Sequence, residues 1–418
     1  MRFLALLLFA TIAFAEPLKV DISSKSAIVI NADTGAILYG KDPYATAYPA
    51  SITKIATALY ALERKGHALD EQVVARRECL ERISPVVKHA NYDKHASHLI
   101  EYDGSNVGLR AGDTLSLRVL LYGLMLASGD DAANVIAHQV SGNIERFMAE
   151  LNLYLASKGI KNTRFTNAHG LHHPSHQTTA YDMAMLTREA LKHPFFRELV
   201  KTVKYPKPKS DTHYLQSNKL LRPGQHFYPK AIGVKTGYTS HAKFTLVAAA
   251  VHEGRTLIAV VLGAPDAPSR YRDAIRLFEA AFSQKPQMRT YFTAEHDRFT
   301  TKLKGGSRVL EGALDADLKM TYFPAEEPEV KPHLVWNNTA LPIEAGQKVG
   351  ELQLVDPKGT VVKAAPLFAM QAVEETFWFK IQRTCSEHRK ALIFTFLSLN
   401  FLLVLLYFFK KSHKVKHG

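Results

Sequence analysis

Ser51 and Lys54 sit three residues apart in the stretch YPASITKIATALYAL. On a helix that spacing places two side chains on one face, so a lysine amine there can reach a serine hydroxyl. A serine hydroxyl is a weak nucleophile at neutral pH and needs a base within hydrogen-bond distance. Lysine can serve when burial or a second cation lowers its proton affinity. A helix N-terminus would also favour negative charge forming beside the serine. A plainer reading competes: Ser51 caps a helix after Pro49 and Lys54 is solvated. The pair alone does not decide, because Ser240-His241-Ala242-Lys243 repeats the same spacing.

Two further stretches supply partners. Lys235-Thr236-Gly237 lies just before an apolar hairpin and so on a sheet edge. A lysine and a threonine hydroxyl there can hold a substrate carboxylate, and glycine lets a ligand approach the backbone. Ser128-Gly129-Asp130 follows the nearly unbroken apolar run LLYGLMLA. Its serine could relay protons between Lys54 and a leaving group.

Three motifs in this order resemble the penicillin-binding and serine β-lactamase superfamily. The surrounding stretches YPASITKIATALYAL, LLYGLMLASGDDAANVIA, RFTNAHGL, TTAYDMA and GVKTGYTSHAKFTLVAAA are similar to its low-molecular-mass D-alanyl-D-alanine carboxypeptidases. LPIEAGQKVGELQL resembles part of that family's C-terminal β-sandwich. The resemblance implies Ser51 as the acylated nucleophile, Lys54 as its general base and Ser128 as the second-motif serine. It implies that Lys235, Thr236 and Gly237 bind the substrate carboxylate, with help from Arg270. It also implies an oxyanion hole made by the backbone N–H groups of Ser51 and Tyr238. The implied reaction removes the terminal D-alanine of peptidoglycan stem peptides through an acyl-enzyme, without cofactor or metal, and β-lactams would be covalent inhibitors. An endopeptidase acting on cross-links and a non-catalytic wall-binding relative are the alternatives.

The chain departs from the family pattern at a few positions. Asp130 replaces the asparagine that usually ends the second motif; a carboxylate can accept a hydrogen bond from the lysine but cannot donate one as an amide does. Asp130 is therefore expected in the substrate-binding site with its role undefined. A literal Ser-Gly-Asn at 141–143 falls in a turn before the next helix and reads as a decoy, and Ile232 stands where many members carry aspartate. Class A β-lactamases need a glutamate between the second and third motifs to activate the deacylating water. Arg164–Asp182 contains none, so bound penicillin should leave slowly. His169, His172, His173 and His176 invite a zinc reading, but no carboxylate or cysteine set accompanies them.

The elements that must hold these residues read as α+β. SAIVINADTGAILY forms two strands around a turn; helical patterns follow at 52–62, 115–140, 144–158 and 181–191; KFTLVAAAV and RTLIAVVLGA form a hairpin, and YRDAIRLFEAAF a last helix. Residues 75–105 read as a long polar surface loop. The expected organisation is a β-lactamase/DD-peptidase-like domain at 16–285, an antiparallel sheet with helices, followed by a small all-β sandwich at 286–380. Residues 1–15 have the pattern of a signal peptide ending on Ala13-Phe14-Ala15. Residues 391–409 carry no charge and would span about 28 Å as a helix, enough for a single-pass membrane anchor before a basic tail at 410–418. Together these place the catalytic domain outside the bacterial inner membrane. The 418 residues carry a formal net charge of +14, yet the basic residues are scattered and no zinc-finger, RNP or zipper pattern accompanies them, which argues against nucleic acid. The two cysteines, Cys79 and Cys385, form no redox or zinc pattern.

Overall fold

The computed structural model describes residues 17–414, which divide into two compact units, 17–285 with Phe323–Glu327, and Pro286–Tyr322 with 328–414. The signal-peptide pattern at 1–15 lies outside the described residues.

The first unit is built on a five-stranded antiparallel sheet. Its strands are β1 (Ser26–Asn31), β2 (Ile37–Lys41), β3 (Ala231–Thr239), β4 (Lys243–His252) and β5 (Arg255–Ala264), in the order β2-β1-β5-β4-β3. The β4–β5 hairpin turns on Glu253 and Gly254, both with positive φ, the conformation that matches strand twist in a two-residue turn. An antiparallel strand with one wet face alternates apolar and polar residues. Strands β4 and β5 instead read as continuous apolar runs because helices cover both faces of the sheet. Ile28, Ile30, Val247, Ile258 and Val260 join one core with the helical layer, whereas Val29, Leu246, Ala248 and Val261 join another with Tyr271, Leu277 and Phe278.

The helical layer comprises α1 (Lys54–Lys65), α2 (Pro85–Ala90), α3 (Leu117–Leu126), α4 (Asp130–Ser141), α5 (Ile144–Ser157), α6 (Ala180–Ala190) and α7 (Pro194–Lys201); α8 (Ala267–Phe282) covers the opposite face. The helical pattern of 115–140 is two helices, broken at 127–129 where Ser128 takes φ +62. Residues 75–105 are not an irregular surface loop. They hold short helical turns, α2 and a parallel pair of two-residue strands, with Cys79, Lys88 and Ile100 buried. Their polar composition hides this because the polar groups are satisfied locally: Lys88 Nζ donates to the Leu99 carbonyl, and Asn134 reaches in to bond the carbonyls of Cys79 and His98.

The second unit has a five-stranded antiparallel sheet, in the order Arg298–Thr301, Leu310–Leu314, Val361–Ala369, Lys348–Val355, Lys331–Trp336, and a separate strand pair, Gln287–Phe292 with Leu318–Tyr322. Leu310, Leu314, Val349, Leu352, Leu354 and Leu367 form its core. Helices α9 (Phe377–Glu387) and α10 (Arg389–Lys414) follow. Among the described residues no helix is long and apolar enough to cross a membrane, so the transmembrane helix expected at 391–409 is not supported.

Candidate active site

Pro49 begins a 3-10 turn, Ala50–Thr53, that carries Ser51, and α1 starts only at Lys54. Ser51 is therefore one turn ahead of the helix and does not cap it. Ala50 is held at φ +55, a sparsely populated conformation for a residue with a Cβ. Three contacts hold it there. Thr245 Oγ1 of β4 donates to the Pro49 carbonyl at 2.9 Å, and Thr53 Oγ1 to the Ala50 carbonyl at 2.8 Å. Gly170 packs so close behind that a Cβ on it would lie 2.0 Å from the Ala50 oxygen.

Lys54 is fully buried, and its Nζ meets Ser51 Oγ at 3.0 Å, Asp130 Oδ1 at 2.7 Å and the His169 carbonyl at 2.6 Å. Burial pushes the Lys54 ammonium below the usual lysine range, against the pull of the Asp130 carboxylate. Burial likewise pushes the Asp130 carboxyl upward, opposed by Lys54. Asp130 opens α4, two residues after the buried Ser128. The next residue, Asp131, fixes the chain that precedes the motif by accepting the backbone N–H groups of Val107, Gly108 and Leu109 at 2.9–3.0 Å.

Lys235, Thr236 and Gly237 lie on edge strand β3, beside Ser51. A Cβ on Gly237 would sit 2.9 Å from the Ser51 backbone nitrogen and 2.5 Å from Thr245 Oγ1, so only glycine lets this strand approach the serine. Lys235 is fully buried, and burial followed by repulsion from Lys54 holds its ammonium well below the usual lysine range. Thr236 Oγ1 lies 3.1 Å from Ser217 Oγ. Arg270 reaches from α8 to donate to the Gly237 carbonyl at 3.0 Å, its guanidinium over the Phe244 ring. Tyr238 is 56% exposed and leans on Phe244. Ser51, Lys54 and Asp130 are thus joined directly, Gly237 abuts Ser51, and Arg270 stands behind Gly237.

The chain also belongs by similarity to a known group. Its residues 11–266 match the family model described as D-alanyl-D-alanine carboxypeptidase, more than half of the chain. The chain belongs to the D-alanyl-D-alanine carboxypeptidase family. The family member DacF of Bacillus subtilis is 30% identical over 396 residues, 92% of this chain and 96% of that protein. DacD of Escherichia coli is 29% identical over 384 residues, 87% of this chain and 90% of its own length. The crystal structure of penicillin binding protein 6B from Escherichia coli superposes with a TM-score of 0.61 at 27% identity, covering 85% of this chain and 98% of that one.

Against the family pattern, the second copy of the serine–lysine spacing is the β3–β4 turn: Ser240 is exposed and Lys243 opens β4. Ser-Gly-Asn at 141–143 is the α4–α5 turn, where Asn143 caps α5 by accepting the Arg146 N–H. Three of the four histidines make contacts of another kind. His169 gives its carbonyl to Lys54, His176 Nε2 pairs with Thr53 Oγ1 at 2.8 Å, and His172 stacks on His241 at 3.7 Å. Among the described residues no group of three or more His, Cys, Asp or Glu side chains converges as a metal site. Ser217, Thr245 and the His169 carbonyl have no sign in the sequence. The first two carry no motif, and a backbone carbonyl leaves no mark in a sequence.

Proposed function

We propose that the chain is a serine-type D-alanyl-D-alanine carboxypeptidase that removes the terminal D-alanine of peptidoglycan stem peptides and is acylated by β-lactams. The observation that carries this reading is the 3.0 Å contact between a buried lysine amine and the Ser51 hydroxyl, in a chain of this family. Ser51 Oγ attacks the carbonyl carbon of the D-Ala–D-Ala bond while its proton passes to Lys54. The backbone N–H groups of Ser51 and Tyr238 stabilise the oxyanion. Ser128 passes the proton to the departing amine, and Lys235, Thr236 and Arg270 hold the substrate's terminal carboxylate. Water then releases the shortened peptide from Ser51.

The proposed setting is the outer face of a bacterial inner membrane. Its support is the signal-peptide pattern at 1–15 and the uncharged run 391–409, within a 26-residue helix, followed by lysines. Fractionation of cells should find the chain in the membrane pellet, and recovery in the soluble fraction would reject the anchor.

The deciding experiment is mass spectrometry of a stem pentapeptide incubated with purified protein. Loss of one alanine is expected from the wild type and none from Ser51→Ala. If fluorescent penicillin fails to label the wild type, the enzyme reading fails.

A further inference from the structure

Lys54 Nζ has three partners: Ser51 Oγ, Asp130 Oδ1 and the His169 carbonyl. An ammonium fills all three with its protons. A neutral amine fills two and offers its lone pair to the third. Neither a carbonyl nor an ionised carboxylate can donate to that lone pair, and Ser51 is the one hydroxyl of the set. Asp130 and the His169 carbonyl therefore take the two remaining N–H bonds and aim the lone pair at Ser51.

Asp130 is poorly placed to touch a substrate. It is 2% exposed, its backbone N–H is taken by the Ser105 carbonyl at 2.7 Å, and one carboxylate oxygen is committed to Lys54. Gly104 closes over the other oxygen so tightly that a Cβ there would lie 2.7 Å from Oδ2. A carboxylate exposed in this site would also repel an anionic substrate.

We propose that Asp130 is a positioning residue that acts through Lys54, orienting the amine toward Ser51 and strengthening it as a base, without contacting substrate. This inference rests on the acyl-transfer reading above. In the attack, the Ser51 O–H bond breaks, its proton goes to Lys54 Nζ, and Oγ bonds the substrate carbonyl carbon. The ammonium so formed already lies 2.7 Å from the carboxylate that balances it. The same proton later leaves for the departing amine.

Other charged groups face this pair and are common to every variant compared below. Asp131 of α4 draws protons toward both Lys54 and Asp130. Lys235 of β3 favours the ionised form of Asp130. Lys88 of α2, 3.4 Å from Glu101, also feels Asp130. His169 is kept neutral by burial and by the cations Lys88 and Lys54.

The test is the second-order rate of penicillin acylation measured against pH on the full-length protein. The wild-type rate should rise with pH along the limb on which Lys54 loses its proton. Asp130→Asn removes a negative charge that stabilises the ammonium, so that limb should move down by roughly 1–3 pH units. Its alkaline plateau should fall by roughly tenfold, because the amine is a weaker base. Asp130→Glu should restore a limb close to that of the wild type. A merely structural role would lower the rate alike at every pH. Should Asp130→Asn fail to melt cooperatively, Asp130→Ser supplies the neutral comparison. A limb that stays put in the neutral variants while Lys54→Ala is inactive would overturn the role of Asp130 alone. Normal acylation by Lys54→Ala would overturn the base assignment and this inference with it.

Discussion

Ser51 gains a hydrogen-bonded amine from Lys54, three residues away in the chain, and a wall from Gly237, which is close only in space. That difference decides how much of the site can be read from the chain. Ser51, Lys54, Ser128, Lys235 and Thr236 are legible because their types and order carry chemistry. Ser217 is not, since it is a lone serine in LQSNKLL that meets Thr236 only through the fold. Its hydroxyl shares a hydrogen bond with the threonine expected to hold the substrate carboxylate, and with Ser217 as donor the Thr236 proton is left for that carboxylate. Ser217→Ala should raise KM for pentapeptide by about fivefold, the cost of roughly 1 kcal/mol for a neutral hydrogen bond, with kcat nearly unchanged. Ser217→Thr should recover most of the loss. An unchanged KM would remove Ser217 from the site.

Among the elements, the strands and helices are legible from periodicity, and the hairpin β4–β5 from its apolar runs. The stretch 75–105 has the composition of a loop because its order comes from backbone partners rather than from an apolar stripe. The loop 162–178 illustrates the same physics with a measurable consequence. His176 is buried with both ring nitrogens engaged, Nδ1 accepting the Thr166 N–H at 3.0 Å and Nε2 meeting Thr53 Oγ1 beside Ser51. Burial lowers its pKa from 6.5 to about 3. The unfolded chain therefore binds a proton at His176 below pH 6.5 that the folded protein refuses until about pH 3. Stability from this group is complete above pH 6.5 and is lost as pH falls, by up to about 1.4 kcal/mol per pH unit. Urea melts at pH 7 and pH 5 should show a steeper acid loss in wild type than in His176→Gln, although the variant starts from lower stability. Parallel losses in the two proteins would contradict the buried neutral ring.

The whole molecule adds a boundary that composition does not display. The change of texture near residue 285 suggests that the site-bearing unit ends there, yet Phe323–Glu327 returns to it from beyond a strand pair. Glu326 pairs with Arg255 of β5 and accepts the Asn31 side-chain amide at 2.7 Å, while Phe323 lies under the Arg255 guanidinium at 3.6 Å. Both partners of the ion pair are about nine-tenths buried. Removing one partner of such a pair leaves an uncompensated charge and costs about 3–5 kcal/mol. Sequence could not announce this, because five residues in an acidic, proline-containing stretch resemble any linker. The consequence is that a chain cut after Lys285, although it retains all three motifs, should lose stability where Ser51 sits. Thermal inactivation read by penicillin labelling reports only on that unit, so it separates this effect from unfolding elsewhere. Glu326→Ala in the full chain should lower the inactivation midpoint by several degrees and reproduce much of the deficit of the chain cut after Lys285. A truncated chain that labels and melts like the full-length protein would mean that the returning segment contributes nothing to holding the site.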